Sequence, residues 1–389
     1  MNNVIILHHH EITLKKKNRN FFEKQLHNNL KIVLPKNVEI VPQFGRTLVK
    51  FSELDNNNLI IDSLKKVFGI ANICVGYEVE SNIEKFCEMS FEMLKEKNVL
   101  TFKIDTNRVD KSFPIKSMDV NKIVGEFVCR NFSLKAKMQN PDVAIYIEII
   151  DENSYIYSQK IYGANGLPVG VSGKTISLIS AGFDSPIASY KIIKRGAKCI
   201  FVHFHSRPYT SENSILQVES LIKNLTQYQF ESKLYLVPFA NLQQNIVSNT
   251  NQKLRIILYR RFMVRIAEII AQKESALALV TGDSLGQVAS QTLKNIFVIN
   301  EVANLPILRP LIGFDKEEIM KIAIEINTYN ISKEPFDDCC SYLSPRTPET
   351  WANLNEVIEE EKKLDSKNLI DECLKEIKVK TFSYQFFFE

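Results

Sequence analysis

A chain of 389 residues is too long for one ordinary core and predicts two or three domains. With 45% hydrophobic and 24% charged residues it has the composition of a soluble globular protein, and no stretch approaches the roughly 20 apolar residues that span a bilayer. A net charge of +4 permits nucleic-acid binding without indicating it, while seven cysteines with no CxxC pair argue against a disulfide framework and a structural zinc site. The start, Met1 to His8, lacks the basic flank of a signal peptide, so a cytoplasmic location is expected.

The first region runs to about residue 60. A strand over Val4–Leu7 precedes the basic turn Lys15-Lys16-Lys17-Asn18-Arg19, a helix from about Asn20 to Leu30 and a strand near Thr47–Phe51, a small α+β unit. The polar ELDNNNL at 53–59 marks a boundary. From 60 to 165, helices near 83–97 and 119–130 alternate with strands near 99–105, 143–149 and 154–160. GANGLPVGVSG, with four glycines and a proline over 163–173, is a linker or a backbone-exposing loop.

The third region opens with a strand, Thr175–Ile179, a helix over 186–195 ended by Gly196, and a second buried strand, Cys199–Phe204. Strand, helix and strand this close make a βαβ unit and hence a parallel sheet. A long helix over Arg255–Lys273 follows, then a strand over Ala276–Val280, Gly282-Asp283, and a helix opened by an Asp315/Glu318 capping box. A doubly wound α/β fold with its site at the carboxyl ends of the strands is expected. After Trp351 the tail predicts one helix with charges at i,i+4 spacing and an inert Cys373.

Two segments compete as phosphate cradles. Gly173-Lys174-Thr175 has Pro168 where a Walker A loop needs its first glycine, and it leads into a strand, so it is better a turn. Ser180-Ala181-Gly182-Phe183-Asp184-Ser185 follows a buried strand and enters a helix, with Ser185 expected as N-cap and Pro186 at the first helical position. Uncapped amides and the positive end of the helix dipole then face an anion.

That loop resembles the Ser-Gly-Gly-x-Asp-Ser signature of the PP-loop ATP pyrophosphatases. GLPVG (166–170), VHFHSRPYTSE (202–212), YRRFMVRIAEIIA (259–271), TGDSLGQVASQTLKN (281–295), RPLIGFDKEEI (309–319) and EPFDDCCSYLSP (334–345) resemble one branch of it, the tRNA 4-thiouridine synthetases or tRNA sulfurtransferases. EITLKKKNRNFFEKQL is similar to that family's ferredoxin-like domain, and TFKIDTNRVDKSFPIKSMDVNKIVGEFV with NPDVAIYIEI to its RNA-binding THUMP domain. Departures are His9-His10 before Glu11, Lys16 where a glycine is usual, Asn107 where a basic residue is usual, and Ala181 at the signature's first glycine. If φ is positive at 181 the methyl costs about 1 kcal/mol; if negative, nothing.

The resemblance implies a multidomain α/β chain: a ferredoxin-like domain over 1–59, a THUMP domain over 60–165 and a PP-loop domain with a doubly wound parallel sheet over 166–389. It implies ATP-dependent conversion of uridine 8 of tRNA to 4-thiouridine, by adenylation of O4 and sulfur transfer from a persulfide. Ser180, Gly182, Phe183, Asp184 and Ser185 would hold the pyrophosphate, with Asp184 on Mg²⁺; Asp184 also fits a local cap. Leu178, Ile179, His203, Phe204, Gly282 and Gln291 would line the nucleotide site, where His203 also fits a structural role. Arg260 would meet the nucleotide; Arg261 and Arg265 share another helix face, a pattern that also fits a solvated basic face. Cys340, beside Cys339, matches the family's catalytic cysteine, although taken without the resemblance the pair fits buried packing residues; Asp337 and Asp338 would disfavour a thiolate there, with Arg346 as a candidate counterweight. Lys15, Lys16, Lys17, Arg19, Lys103, Arg108 and Lys111 would grip tRNA, though each also fits ordinary surface charge.

The 44 residues after Pro345 are too few for the rhodanese domain that often ends family members. A cysteine desulfurase is therefore expected to deliver sulfur directly, and thiazole synthesis becomes the less expected role. A homodimer stays open. Two other readings compete: a tRNA-binding protein with a decayed ATP site, opposed by retention of Asp184, Arg260, Gln291 and Cys340, and a PP-loop enzyme with another acceptor, opposed by the THUMP-like region and GQVASQTL.

Overall fold

The computed structural model describes residues 2–43, 45–51, 57–335, 343, 345 and 347–384. Cys339 and Cys340, with Asp337, Asp338 and Arg346, lie outside the described residues. The chain divides into two compact units that part after Gly166.

The first unit comprises β1 (Asn2–His8), α1 (Arg19–Val33), β2 (Glu39–Gln43), β3 (Arg46–Lys50), α2 (Asn57–Leu64), β4 (Asn72–Glu80), α3 (Ile83–Leu94), β5 (Thr101–Arg108), α4 (Ser117–Asn131), β6 (Lys135–Ala136), β7 (Val143–Ile150), β8 (Asn153–Tyr157) and β9 (Ile161–Tyr162). Its sheet runs β2-β3-β1-β4-β8-β7-β5-β6, with β9 beside β4. β1 is antiparallel to both neighbours, Ile6 facing Leu48 and Cys74, and β4 pairs β8 on its other edge, so the amino-terminal strands and the THUMP-like strands belong to one sheet. β2, which carries no clean two-residue alternation, and β4, where Ile73, Val75, Tyr77 and Val79 do alternate, were not expected from the sequence; their partners make them strands.

The second unit comprises β10 (Lys174–Leu178), α5 (Asp184–Lys194), β11 (Lys198–His205), α6 (Asn213–Gln229), β12 (Glu231–Pro238), α7 (Ala240–Asn249), α8 (Arg255–Glu274), β13 (Leu279–Val280), α9 (Leu293–Asn300), β14 (Ile307–Leu308), α10 (Lys316–Glu325), α11 (Tyr329–Lys333), α12 (Leu354–Glu361), α13 (Ser366–Lys375) and β15 (Lys378–Ser383). The sheet order is β14-β13-β10-β11-β12-β15, parallel except for the β15 edge. From β10 the chain adds β11 and β12 on one side and then returns to add β13 and β14 on the other. The crevice at β10 and β13 is therefore a topological switch point, where α/β sheets bind ligands.

Three local expectations are corrected. The tail is two helices, because Leu364 turns inward and the Asp365 side chain caps α13 by accepting the Asn368 amide at 3.3 Å; an edge strand then follows. The strand expected over Ala276–Val280 shortens to two residues, since Ser275 is left-handed at φ +54° and the Ala276 amide bonds back to Ala271 of α8. α5 begins at Asp184, so Ser185 is not its N-cap: its hydroxyl accepts the Ser180 amide at 2.8 Å and closes the loop, and no side chain caps the helix.

No helix among the described residues is long and apolar enough to cross a membrane.

Candidate active site

The loop between β10 and α5 is short because Ser185 latches it. Besides accepting the Ser180 amide, the Ser185 hydroxyl donates to the Ser180 carbonyl at 3.2 Å. Ala181 and Gly182 are not among the described residues with left-handed φ, so the alanine departure carries no backbone penalty. Gly173, by contrast, sits at φ +78° in the turn entering β10.

A cavity of about 450 Å³ opens above this loop, and its walls include the ends of the parallel strands β10, β11 and β13. Leu178, Ile179, Ser180, Asp184 and Ser185 form one wall, and Val202, His203 and Phe204 of β11 a second. Arg260 of α8, with Ile256 and Met263 on the same helix face, forms a third. Thr281, Gly282, Asp283 and the stretch Val288–Gln291 close it, with Pro348. Of the nucleotide residues expected from the sequence, Gly182 and Phe183 alone do not line it. The Phe183 ring turns away onto Tyr329, centroids 5.4 Å apart, and the Gly182 carbonyl accepts the Ser332 hydroxyl at 3.2 Å, which leaves backbone N–H groups as their only route to an anion.

Gly282 is where the two halves of the cavity touch. A Cβ there would lie 2.7 Å from the Ser185 nitrogen and 2.9 Å from the Asp184 carbonyl carbon, closer than real Cβ atoms stand. The requirement is close backbone approach, not a special φ.

His203 is buried, with Nδ1 2.9 Å from the Ile179 carbonyl. Burial pushes its pKa down to about 4 against the opposing pull of that hydrogen bond, so the ring is neutral at pH 7. Nδ1 then carries the proton and donates to Ile179, and Nε2, buried with no partner among the described residues, is left as an acceptor in the cavity wall.

Asp283 is the charge centre of the site. Burial works against its ionisation, but Arg260, Arg309 and the Thr281 hydroxyl outweigh that and hold its pKa at about 2. Arg260 donates to Oδ1, the Arg309 Nε to Oδ2 at 2.9 Å and the Thr281 hydroxyl to Oδ2 at 2.8 Å. Arg260 also donates to the Ser290 hydroxyl at 3.2 Å. Asp184 is different: burial raises its pKa, and among the described residues its Oδ2 accepts a single long 3.3 Å bond, from Gln287. It is the less satisfied of the two carboxylates facing the cavity.

Arg261 and Arg265 do not form a solvated basic face. Arg261 is 1% exposed and, with Arg265, grips the Glu361 carboxylate of α12 at 2.8–3.0 Å, because the α8 face carrying it packs under the tail helices. Cys373 is buried and its thiol is pushed up to about 12 by burial, so it stays protonated at neutral pH.

The basic residues of the first unit are partly spoken for. Lys15 lies 3.7 Å from Glu11, Arg19 3.2 Å from Glu23 and Lys103 2.8 Å from Asp105, while Arg108 donates to the Phe113 carbonyl at 2.7 Å. Lys16, Lys17 and Lys111 are exposed. Lys16 sits at φ +45°, a conformation that favours glycine, which accounts for the glycine usual at this position in the family it resembles.

Family models agree with this arrangement. The model described as thiamine biosynthesis protein (ThiI) matches residues 170–366, the ThiI ferredoxin-like domain 4–74 and the THUMP domain 78–159. A probable tRNA sulfurtransferase of Thermoanaerobacter pseudethanolicus is 41% identical across 97% of this chain and 99% of its own length. The chain belongs to the tRNA sulfurtransferase (4-thiouridine synthetase) family. A probable tRNA sulfurtransferase of Coxiella burnetii is 38% identical over 97% of this chain and 98% of its own. Among solved structures, a 4-thiouridine synthetase in complex with RNA and bound ATP superposes with a TM-score of 0.90 at 34% identity, covering 98% of this chain and all of that one. PH1313 from Pyrococcus horikoshii Ot3, at 24% identity and a TM-score of 0.62, shares the fold.

Sequence reasoning missed Asp283, Thr281, Ser290, Ile256, Met263, Val202, Val288, Ala289 and Pro348 as cavity residues. Ile256 and Met263 could have been found, standing four before and three after Arg260 on one helix. Asp283 could not, because its two arginine partners lie 23 and 26 residues away in sequence.

Proposed function

We propose that the cavity binds ATP and that the protein makes 4-thiouridine at position 8 of tRNA. The observation that supports this most directly is the cavity itself: a latched, uncapped helix start faces Arg260 across the switch point, in a chain 34% identical over its length to a synthetase solved with ATP and RNA. In this reading Leu178, Ile179, Phe204 and the His203 Nε2 acceptor receive the adenine end. Ser180, Ser185 and the amides of Gly182 and Phe183 hold the phosphates, with Arg260 and Gln291 across from them and Gly282 keeping the wall thin. Asp184 suits Mg²⁺, which takes one or two carboxylates and completes its shell with phosphate oxygens and water; bound there, it would neutralise charge on the polyphosphate. No group of three potential metal-ligating side chains occurs among the described residues, so the nucleotide would have to share the ion.

The reaction follows from leaving-group chemistry. Uridine O4 attacks the α-phosphorus and pyrophosphate departs, leaving O4 as part of a phosphate ester. The terminal sulfur of a Cys340 persulfide attacks C4 and AMP leaves with the former O4. A second thiol, with Cys339 adjacent, attacks the Cys340 sulfur, releases the thiouridine and leaves a disulfide that an external thiol reduces. A cysteine desulfurase supplies the persulfide sulfur. The first unit binds the tRNA through Lys15, Lys16, Lys17, Arg19, Lys103, Arg108 and Lys111, with domains at 1–59, 60–165 and 166–389. Of the two motives for a decayed ATP site, Ala181 and the altered first half of the chain, the first falls away once residue 181 needs no glycine.

The test is to supply ATP, magnesium, unthiolated tRNA and a desulfurase with cysteine, then measure AMP and the nucleoside masses. Wild type is expected to yield both AMP and 4-thiouridine, and Cys340→Ser no 4-thiouridine. Thiolation persisting in that variant overturns the sulfur-carrier role; absence of AMP with wild type overturns the adenylation.

A further inference from the structure

Arg260 reaches the cavity already engaged by Asp283, which raises a problem of charge. A buried carboxylate paired one-to-one with a guanidinium cancels most of its field, leaving little to attract a polyphosphate. The structure supplies a second cation. Arg309 does not line the cavity, yet its Nε donates to the other Asp283 oxygen at 2.9 Å and its terminal nitrogen to the Asn300 side chain at 2.7 Å. The three side chains therefore sum to one positive charge. Their placement is set by the short β13/β14 pair: the Thr281 amide donates to the Leu308 carbonyl at 3.1 Å and the Leu285 amide to the Ile312 carbonyl at 3.0 Å, so the backbones carrying Asp283 and Arg309 run side by side.

We infer that Asp283 and Arg309 are positioning residues for Arg260. Asp283 fixes the guanidinium on the cavity wall, and Arg309, from behind, satisfies enough of that carboxylate for Arg260 to present surplus positive charge to an anionic ligand. The inference deepens the ATP reading and rests on it. It explains why one carboxylate with 2% of its side chain exposed lies between two arginines that are themselves only 20% and 10% exposed. A packing role alone calls for a neutral group or a one-to-one pair.

Opposite charge changes at the two positions separate these roles. Equilibrium binding of ATP to the full chain is compared for wild type, Arg309→Gln, Asp283→Asn with Arg309→Gln, and Arg309→Lys. Arg309→Gln leaves Asp283 to cancel Arg260, and affinity is expected to fall about tenfold or more, with a weaker dependence on ionic strength. Adding Asp283→Asn removes the cancelling charge while keeping an acceptor for Arg260, so the double variant is expected to return to within about threefold of wild type. Arg309→Lys keeps the charge and is expected to stay within the same range. A structural role predicts the reverse order, the double variant binding no better than Arg309→Gln, and that result overturns the inference. So does Arg309→Gln with wild-type affinity. Should Arg309→Gln not fold, the double variant and Arg309→Lys carry the test, and a tenfold loss in either refutes it. Wild type failing to bind ATP would sink the nucleotide reading itself, an outcome distinct from all of these.

Discussion

Replacing Gly282 by alanine puts one methyl carbon where the backbone of another element already is. The added Cβ would stand 2.7 Å from the Ser185 nitrogen and 2.9 Å from both the Asp184 carbonyl carbon and the Ser185 Cα, whereas ordinary contact begins at 3.4 Å. Relief takes a displacement of about 0.7 Å, and all three obstructing atoms are main chain, so no rotamer change can supply it. Such overpacking costs about 1–3 kcal/mol of stability. The displaced atoms belong to the start of α5, so the loop moves relative to Arg260; a misplacement approaching 1 Å costs about a hundredfold in a positioned reaction. The expected result for Gly282→Ala is a folded protein with a lowered melting temperature, ATP affinity weakened about tenfold and AMP formation reduced about a hundredfold. Gly313→Ala, whose added Cβ meets nothing within 4 Å, is the matched control. Calorimetric melting and AMP release measure the two effects, and an alanine variant with wild-type ATP affinity and rate would refute the idea that this contact sets the cradle.

Burial holds His8, His9, His203 and His205 at pKa values of about 4, below the ordinary 6.5. Below pH 6.5 the unfolded chain binds protons that the folded chain refuses, so stability falls as pH drops from about 6.5 to about 4 and levels off below. Calorimetric unfolding at pH 5.5 in buffers of different ionisation enthalpy should record uptake of about three to four protons from these rings, and uptake below one would contradict their neutral burial. Asp283 acts in a separate window: its pKa is depressed to about 2, so its contribution is present above the ordinary 3.8 and is lost as pH falls through 2. Glu361→Gln removes the carboxylate that two arginines share, one of them 1% exposed, and is expected to cost about 3 kcal/mol, read as a lower urea midpoint for the second unit. Lys16→Gly relieves a lysine held at φ +45° and should raise the melting temperature of the first unit, by about 1 kcal/mol in stability, while weakening tRNA binding if that charge contacts RNA; a lower melting temperature would contradict the strain.

Local rules carried much of the second unit. A strand, a serine-flanked loop and a helix over residues 174–194 are legible because parallel core strands are continuous apolar runs, although the serine expected to cap the helix latches the loop instead. The capping box at Asp315 and Glu318 was readable for the same reason, being satisfied within four residues, and it is present. The motifs around Ser180, His203, Arg260 and Gln291 could be marked one by one, and the fold brings all four to one cavity. What the sequence could not carry is anything decided by a partner distant along the chain. β2 and β4 are strands because β1 and β3 complete their ladders, and Arg261 is an interior residue because Glu361, a hundred positions on, neutralises it. Gly282 needs to be glycine because another backbone approaches it, and Asp283 becomes the charge centre only when β13 and β14 align it with Arg309. Hydrophobic period and capping chemistry act over one or two turns of chain, so the sequence displays them directly. Charge compensation and close backbone approach act across space, so only the folded structure decides them.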